Sequence, residues 1–298
     1  MYLKATAKIN LSLDVLRKRP DGYHDVRMIM QKVGMYDRVN LEPVAGKSGI
    51  TLETNLTYIP RDTNNLAAKA AKLLMDEFEV TDGLHIRLEK FIPVAAGLAG
   101  GSSDAACAMI GVNRLFKLGL SKQELMKRGA AIGADVPYCI LGGTALSEGI
   151  GDVLTPLPPL PDAWILLCKP NINVSTKDVY GNLRLDGTIR HPDVDGMITA
   201  LENGDLTAVA DAKCMGNVLE SVTGEKYPVI GNIEEMMKNC GALGAVMSGS
   251  GPTVFGIFDS QEKAEQCRAA LRKRYPASRV FLTWPEQEGR RRYDGQRR

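Results

Sequence analysis

The chain opens on a strict alternation. Ala5, Ala7, Ile9, Leu11, Leu13 and Val15 fall on one face of an extended segment, and Thr6, Lys8, Asn10, Ser12 and Asp14 on the other. A period of two predicts a half-buried strand with a polar second face. Arg17-Lys18-Arg19-Pro20-Asp21-Gly22 carries turn chemistry, and the mixed apolar run from Tyr23 to Val44 predicts two further strands. Asn64-Asn65 predicts the cap of a helix ending near Phe78. Alternation returns over 83–91 as a strand, helices are predicted over 101–116 and 122–131, and a strand over 143–148. Four prolines in the six positions 156–161 predict an extended linker over 155–161, and the domain boundary is placed there. Beyond it the pattern predicts a strand over 163–169 and a helix led by Ser175-Thr176. Helical stretches near 194–212 and 228–239, a hairpin around a glycine turn over 242–255, a helix over 261–274 and a strand over 280–283 follow. The fold class is α+β in two domains, 1–158 and 159–284, with an Arg-rich tail over 285–298 expected to be disordered.

One stretch does not fit a purely structural reading. Residues 93–106 read PVAAGLAGGSSDAA, a run of small residues opening directly into an apolar-periodic helix. A helix start offers unpaired N–H groups and a partial positive charge, and the absence of bulk lets a polyphosphate lie against the main chain. A helix cap alone needs only one or two such residues. Familiar phosphate and nucleophile motifs are excluded. Gly46-Lys47-Ser48 ends like a P-loop, but Leu41 stands where the first glycine belongs. The spacing of Gly97, Gly100 and Gly101 is not G-x-G-x-x-G, and no serine among 102, 103 and 250 has the flanking glycines of a nucleophile elbow.

Composition narrows the partners. The net charge is +2, and the segment from Glu286 onward holds five Arg against two Glu and one Asp, a surplus equal to that whole charge. The body is therefore neutral, which argues against nucleic acid as a partner. Six scattered cysteines without a C-x-x-C pair, no signal-peptide pattern and no stretch of membrane-spanning length predict a reduced, cytoplasmic protein without a membrane partner. Some 44% of the residues are apolar, an ordinary value for a globular core.

The motifs together are specific. The loop resembles the second motif of the GHMP kinases (galactokinase, homoserine kinase, mevalonate kinase and relatives). The chain carries Lys8 and Asn10 in A-K-I-N-L, Asp135 in G-A-D-V-P and Ser248-Gly249-Ser250-Gly251 at the third motif, so the resemblance runs to about Leu282. Asp21-Gly22-Tyr23-His24 narrows it to the branch whose acceptor is a cytidine diphosphate-linked methylerythritol, in non-mevalonate isoprenoid precursor synthesis. The resemblance implies a ribosomal protein S5 domain 2-like N-terminal domain, an α/β-sandwich C-terminal domain and a site in the cleft between them. It implies transfer of the ATP γ-phosphoryl group, assisted by Mg²⁺, to the 2-hydroxyl of that acceptor. Asp135 and Lys8 would be catalytic. Pro93, Val94, Ala95, Ala96, Gly97, Leu98, Ala99, Gly100, Gly101, Ser102 and Ser103 would hold the nucleotide, with Asn65 and Lys90 bordering the adenine. Asn10, Tyr23, His24, Thr176, Tyr180, Gly249 and Gly251 would hold the acceptor, and Ser102 or Ser103 would lie near the metal. Tyr23 and Tyr180 would sandwich the base, with His24 reading its edge. The family loop often carries glycine where Ala95, Ala96 and Ala99 stand, and alanine restricts φ. The alternatives are another GHMP small-molecule kinase, such as a homoserine kinase, and a catalytically silent ligand sensor on the same fold.

Overall fold

The computed structural model describes residues 1–286. Its first ladder is its longest, with β1 (Tyr2–Lys18) antiparallel to β2 (His24–Val44). β2 is one strand of 21 residues where the pattern predicted two. Gly34 lies inside it, and a glycine inside a strand marks a close approach. A Cβ built on Gly34 would lie 2.7 Å from Cε2 of Trp284. The glycine thus leaves a notch for an indole ring.

β3 (Ile50–Thr54), α1 (Leu66–Glu77) and β4 (Gly83–Glu89) follow, with β3 parallel to β4 and the helix as the crossover. α2 (Gly100–Leu115) packs against α1, β1 and β2, and α3 (Lys122–Gly129) and α4 (Val136–Leu141) pack beside it. β5 (Thr144–Glu148) and β6 (Val153–Leu157) complete a sheet of order β3-β4-β2-β5-β6, with β1 on β2. The predicted linker begins inside this sheet, because Thr155, Pro156 and Leu157 pair with β5. Edge strands tolerate proline, so proline density did not locate the strand's end.

The second half has β7 (Trp164–Lys169), α5 (Thr176–Asn182), α6 (Val194–Glu202), α7 (Leu206–Val209), α8 (Glu220–Lys226) and α9 (Val229–Asn239). It ends with β8 (Gly244–Met247), β9 (Val254–Phe258), α10 (Gln261–Arg274) and β10 (Arg279–Thr283), in an antiparallel sheet of order β10-β7-β9-β8. The helical stretch expected over 194–212 is split at Asn203-Gly204, where Gly204 has φ +65°. The sequence reading missed α8, which has little apolar periodicity and an internal Gly224.

β1 joins the two halves. Ala7, Ile9 and Leu11 pack in one cluster with Ile165, Leu167 and Phe255 of the second sheet. Its polar row is buried too, with Lys8 5% and Asn10 1% exposed, so the strand is buried on both faces rather than half-buried. Of this row, Lys8 and Asn10 line the cleft between the sheets. Residues 284–286 return to the first sheet: the Gly34 amide donates to Trp284 O at 2.9 Å, and the Glu286 amide to Lys32 O at 2.9 Å. The segment expected to begin a disordered tail is therefore paired at residues 285 and 286; its remainder, 287–298, lies outside the described residues.

All six cysteines are free, and all but Cys240 are buried. Burial pushes the thiols of Cys107, Cys139 and Cys168 up to about 12, which keeps them protonated and unreactive. Among the described residues no helix is long and apolar enough to cross a membrane.

Candidate active site

The small-residue loop connects the end of β4 to α2 and forms one wall of a cavity of about 1060 Å³ between the two sheets. Its backbone is unusual. Ala95, Gly97 and Ala99 have φ of +51°, +75° and +53°. A left-handed conformation costs alanine about 1–2 kcal/mol, so the surroundings must impose it. They do: the Lys8 amide donates to Leu98 O at 3.1 Å, and Ser248 Oγ donates to Gly97 O at 2.9 Å. Ala99 is the N-cap of α2 and provides no side-chain cap, so no side chain of the cap residue competes for the first amides of that helix.

At Gly97 the two halves touch closely. A Cβ there would lie 2.1 Å from Ser248 O. Gly97→Ala is expected to push the loop off the glycine turn and weaken ATP binding by at least roughly tenfold, since strain of this kind costs on the order of 1–3 kcal/mol. Calorimetric titration with ATP reads this directly. Unchanged affinity would show that the loop works without that contact.

Opposite the loop stand Lys8 and Asp135. Lys8 Nζ donates to Asn10 Oδ1 at 2.6 Å and lies 4.0 Å from Asp135 Oδ2. The Asn10 amide donates to Ser248 Oγ at 3.3 Å, so the same serine supports both the loop and the β1 polar row. The apolar run over 138–141 that follows Asp135 suggests a buried carboxylate. In the structure the Asp135 side chain is 32% exposed, because it stands at the N-cap of α4 with the cleft in front of it. It makes no capping hydrogen bond, so its carboxylate remains available.

The aromatic pair is composed differently from the expectation. His24 and Tyr180 have ring centroids 5.1 Å apart with planes tilted by 41°. Burial pushes the Tyr180 hydroxyl up to about 12. Burial, reinforced by the charge of Lys18, lowers the His24 ring below its usual value. Tyr23, expected to face Tyr180 across the base, is 61% exposed at the cavity rim. Thr176 Oγ1 lies 2.7 Å from Ser250 Oγ, tying α5 to the glycine turn.

The cavity brings together Lys8, Asn10, Tyr23, His24, Asn65, Lys90, Asp135, Thr176, Tyr180, Gly251 and the loop from Pro93 to Ser102. Two expected residues are not among its walls. Ser103 is buried with its Oγ donating to Thr6 O at 2.7 Å, which spends it on the fold and leaves Ser102 as the serine facing the cleft. Gly249 packs behind, where a Cβ would lie 3.4 Å from Gly97 O. Asn65 and Lys90 do line the cavity, but their side chains are committed. Asn65 caps α1 through Ala67 N and donates to Pro60 O at 3.0 Å. Lys90 Nζ sits between the buried carboxylates of Asp37 and Asp104. Burial acts against its charge, but those two carboxylates outweigh it and raise the ammonium above its usual value. Burial raises Asp104 well above the carboxylate range, and its Oδ1 is buried without a hydrogen-bond partner.

Several of these residues escaped the sequence reading. Asp37 lies mid-strand, and its Oδ1 also accepts from the amides of Phe91 (a short contact) and Ile92, at 2.8 Å, fixing the entry to the loop. Asn217 Nδ2 donates to Met247 O at 2.8 Å and Gly249 O at 2.7 Å, which holds the glycine turn. No local pattern marks either residue. Asp104, in G-S-S-D-A-A, was visible only as an acid after the serines.

Known proteins resemble this chain along both of its halves. Residues 65–143 match the GHMP kinases N terminal domain and residues 197–277 the GHMP kinases C terminal region. The chain is also 52% identical to the 4-diphosphocytidyl-2-C-methyl-D-erythritol kinase of Lachnoclostridium phytofermentans, over 94% of this chain and 96% of that one. This chain belongs to the GHMP kinase family. A second relative of this GHMP kinase, the 4-diphosphocytidyl-2-C-methyl-D-erythritol kinase of Geobacillus thermodenitrificans, is 49% identical over 91% of this chain and 93% of its own. A crystal structure of 4-(cytidine 5'-diphospho)-2C-methyl-D-erythritol kinase superposes with a TM-score of 0.82 at 32% identity, over 96% of this chain and all (100%) of that one. Homoserine kinase from Cytophaga hutchinsonii shares the fold with this GHMP kinase, at a TM-score of 0.74 and 20% identity over 95% of this chain and 96% of its own.

Proposed function

We propose that the enzyme transfers the γ-phosphoryl group of ATP to the 2-hydroxyl of 4-diphosphocytidyl-2-C-methyl-D-erythritol, a step in making isoprenoid precursors. The observation that carries this is one cavity holding a helix-start phosphate loop, the Lys8–Asp135 pair and the His24–Tyr180 ring pair. The relatives at about half identity over nearly the whole chain bear the same name for the reaction.

The loop amides and the start of α2 bind the nucleotide phosphates. Asp135 orients the acceptor hydroxyl and takes its proton as the O–P bond forms and ADP leaves. In a loose phosphoryl-transfer transition state that proton moves late, so positioning matters more than basicity. Lys8, held by Asn10, offsets the charge that builds on the transferring group. Mg²⁺ suits the donors present: Ser102 lines the cavity, and this ion rests on one or two protein oxygens together with substrate phosphates and water. When bound it supplies charge neutralisation at the phosphates. Among the described residues no cluster of three or more His, Cys, Asp or Glu forms a dedicated metal cage.

The test is a coupled ADP-release assay with a panel of acceptors. Turnover is expected with the cytidine diphosphate-linked methylerythritol and not with homoserine or mevalonate. Preferred turnover of either of the latter would overturn the assignment.

A further inference from the structure

The end of β1 and the turn after it hold three cations in a row, Arg17, Lys18 and Arg19, and they are treated differently by the fold. Arg17 Nε donates to Asp25 Oδ2 at 2.5 Å. Arg19 bonds Asp21 and Asp25, each at 3.0 Å. Lys18 has no ion pair among the described residues, and it is the one that faces the cavity. It stands directly across the β1–β2 ladder from His24. Its charge is felt by the His24 ring.

A second unpaired cation approaches from the other half. Lys177 lies on α5, three residues before Tyr180, which places the two as neighbours on one helix surface. Both line the cavity, and Lys177 also has no ion pair among the described residues. The two ring partners therefore each have an uncompensated ammonium beside them. The carboxylates that line the cavity are Asp104, committed to Lys90, and Asp135, beside Lys8. None is positioned against Lys18 or Lys177.

We propose that Lys18 and Lys177 form a diphosphate clamp, one cation from each half, that takes the diphosphate of a nucleoside diphosphate-linked acceptor whose base meets the His24–Tyr180 pair. The clamp rests on the acceptor class proposed above and adds the residues that select its charge. Base stacking accepts any nucleobase and is indifferent to the phosphates, so a free nucleoside would otherwise compete with the true acceptor. Two flexible ammonium groups supply point charges suited to a diphosphate, and unscreened cations at a cavity mouth raise the local concentration of a polyanion.

Calorimetric titration of the wild type, Lys18→Met, Lys177→Met and the double variant with CDP and with cytidine tests this. Both lysines are exposed, so folding is expected to be unaffected. The wild type should bind CDP more tightly than cytidine. Each single variant should lose roughly tenfold in CDP affinity and the double variant on the order of a hundredfold, the low end for hydrogen bonds to charged groups. Cytidine affinity and the KM for ATP should not change. Unchanged CDP affinity in the double variant overturns the clamp while leaving the acceptor assignment standing. A parallel rise in the KM for ATP overturns it by assigning the lysines to the phosphoryl donor. A wild type that binds neither cytidine nor CDP overturns the acceptor assignment and the clamp together.

Discussion

Asp135→Asn is expected to lower kcat by at least about 10²-fold, within the range for positioned acid–base groups. The KM for the acceptor should change little. The swap keeps the side chain's shape and removes only its charge and its capacity to hold a proton. Structural cost should be small, because Asp135 makes no capping hydrogen bond at the start of α4 and its contact with Lys8 is a loose 4.0 Å. With the loop, Lys8 and Asn10 undisturbed, ATP affinity should stay at the wild-type level. Steady-state kinetics with the acceptor varied at saturating ATP separates kcat from KM. Near-normal kcat would remove Asp135 from the mechanism.

Lys90→Met is expected to cost roughly 3–5 kcal/mol of stability, as removal of one partner from a buried ion pair does. The lysine is buried, 8% exposed, and holds its charge between Asp37 and Asp104. Without it two carboxyl groups face each other in the interior, and Asp104 already has an unpartnered oxygen. Such a loss is a large share of the 5–15 kcal/mol that holds a typical domain together. The effect should reach the nucleotide as well, because a Cβ at Gly100 would lie 3.3 Å from Lys90 Nζ, which places the ammonium directly beneath the first turn of α2. Denaturant unfolding with and without ATP checks both parts. A loss below about 1 kcal/mol, the scale of an exposed pair, would show that the triad is not acting as a buried ion network.

The residues that could be read in advance are those whose chemistry is local. Alternation placed β1, the Asn65 cap and the amphipathic run placed α1, and the small-residue run placed the loop that opens into α2, because each depends on residues within a few positions of one another. The helix over Gln261–Arg274 agrees at both ends, since its Ser260 cap and its charge pattern are contiguous. Lys8, Asn10, Asp135 and Ser248 were legible only as parts of motifs that resemble a family. Nothing in their own neighbourhoods distinguishes Lys8 from any strand lysine.

What the tertiary structure decided is how distant groups satisfy one another. The left-handed alanines at 95 and 99 go against alanine's own preference and are held by β1 and by the turn at Ser248, which is 151 residues from Gly97 in the chain. The single long β2 strand depends on Trp284 filling the notch at Gly34. Asp37, Lys90 and Asp104 become a unit only when β2, the loop entry and α2 meet, and Ser103 is lost to the site because Thr6 O claims its hydroxyl. Local sequence therefore determined most of the elements and the place of the small-residue loop, through backbone propensity and periodicity. Which polar groups remain free for chemistry was settled by packing, because a buried donor or acceptor takes whatever partner the fold brings to it.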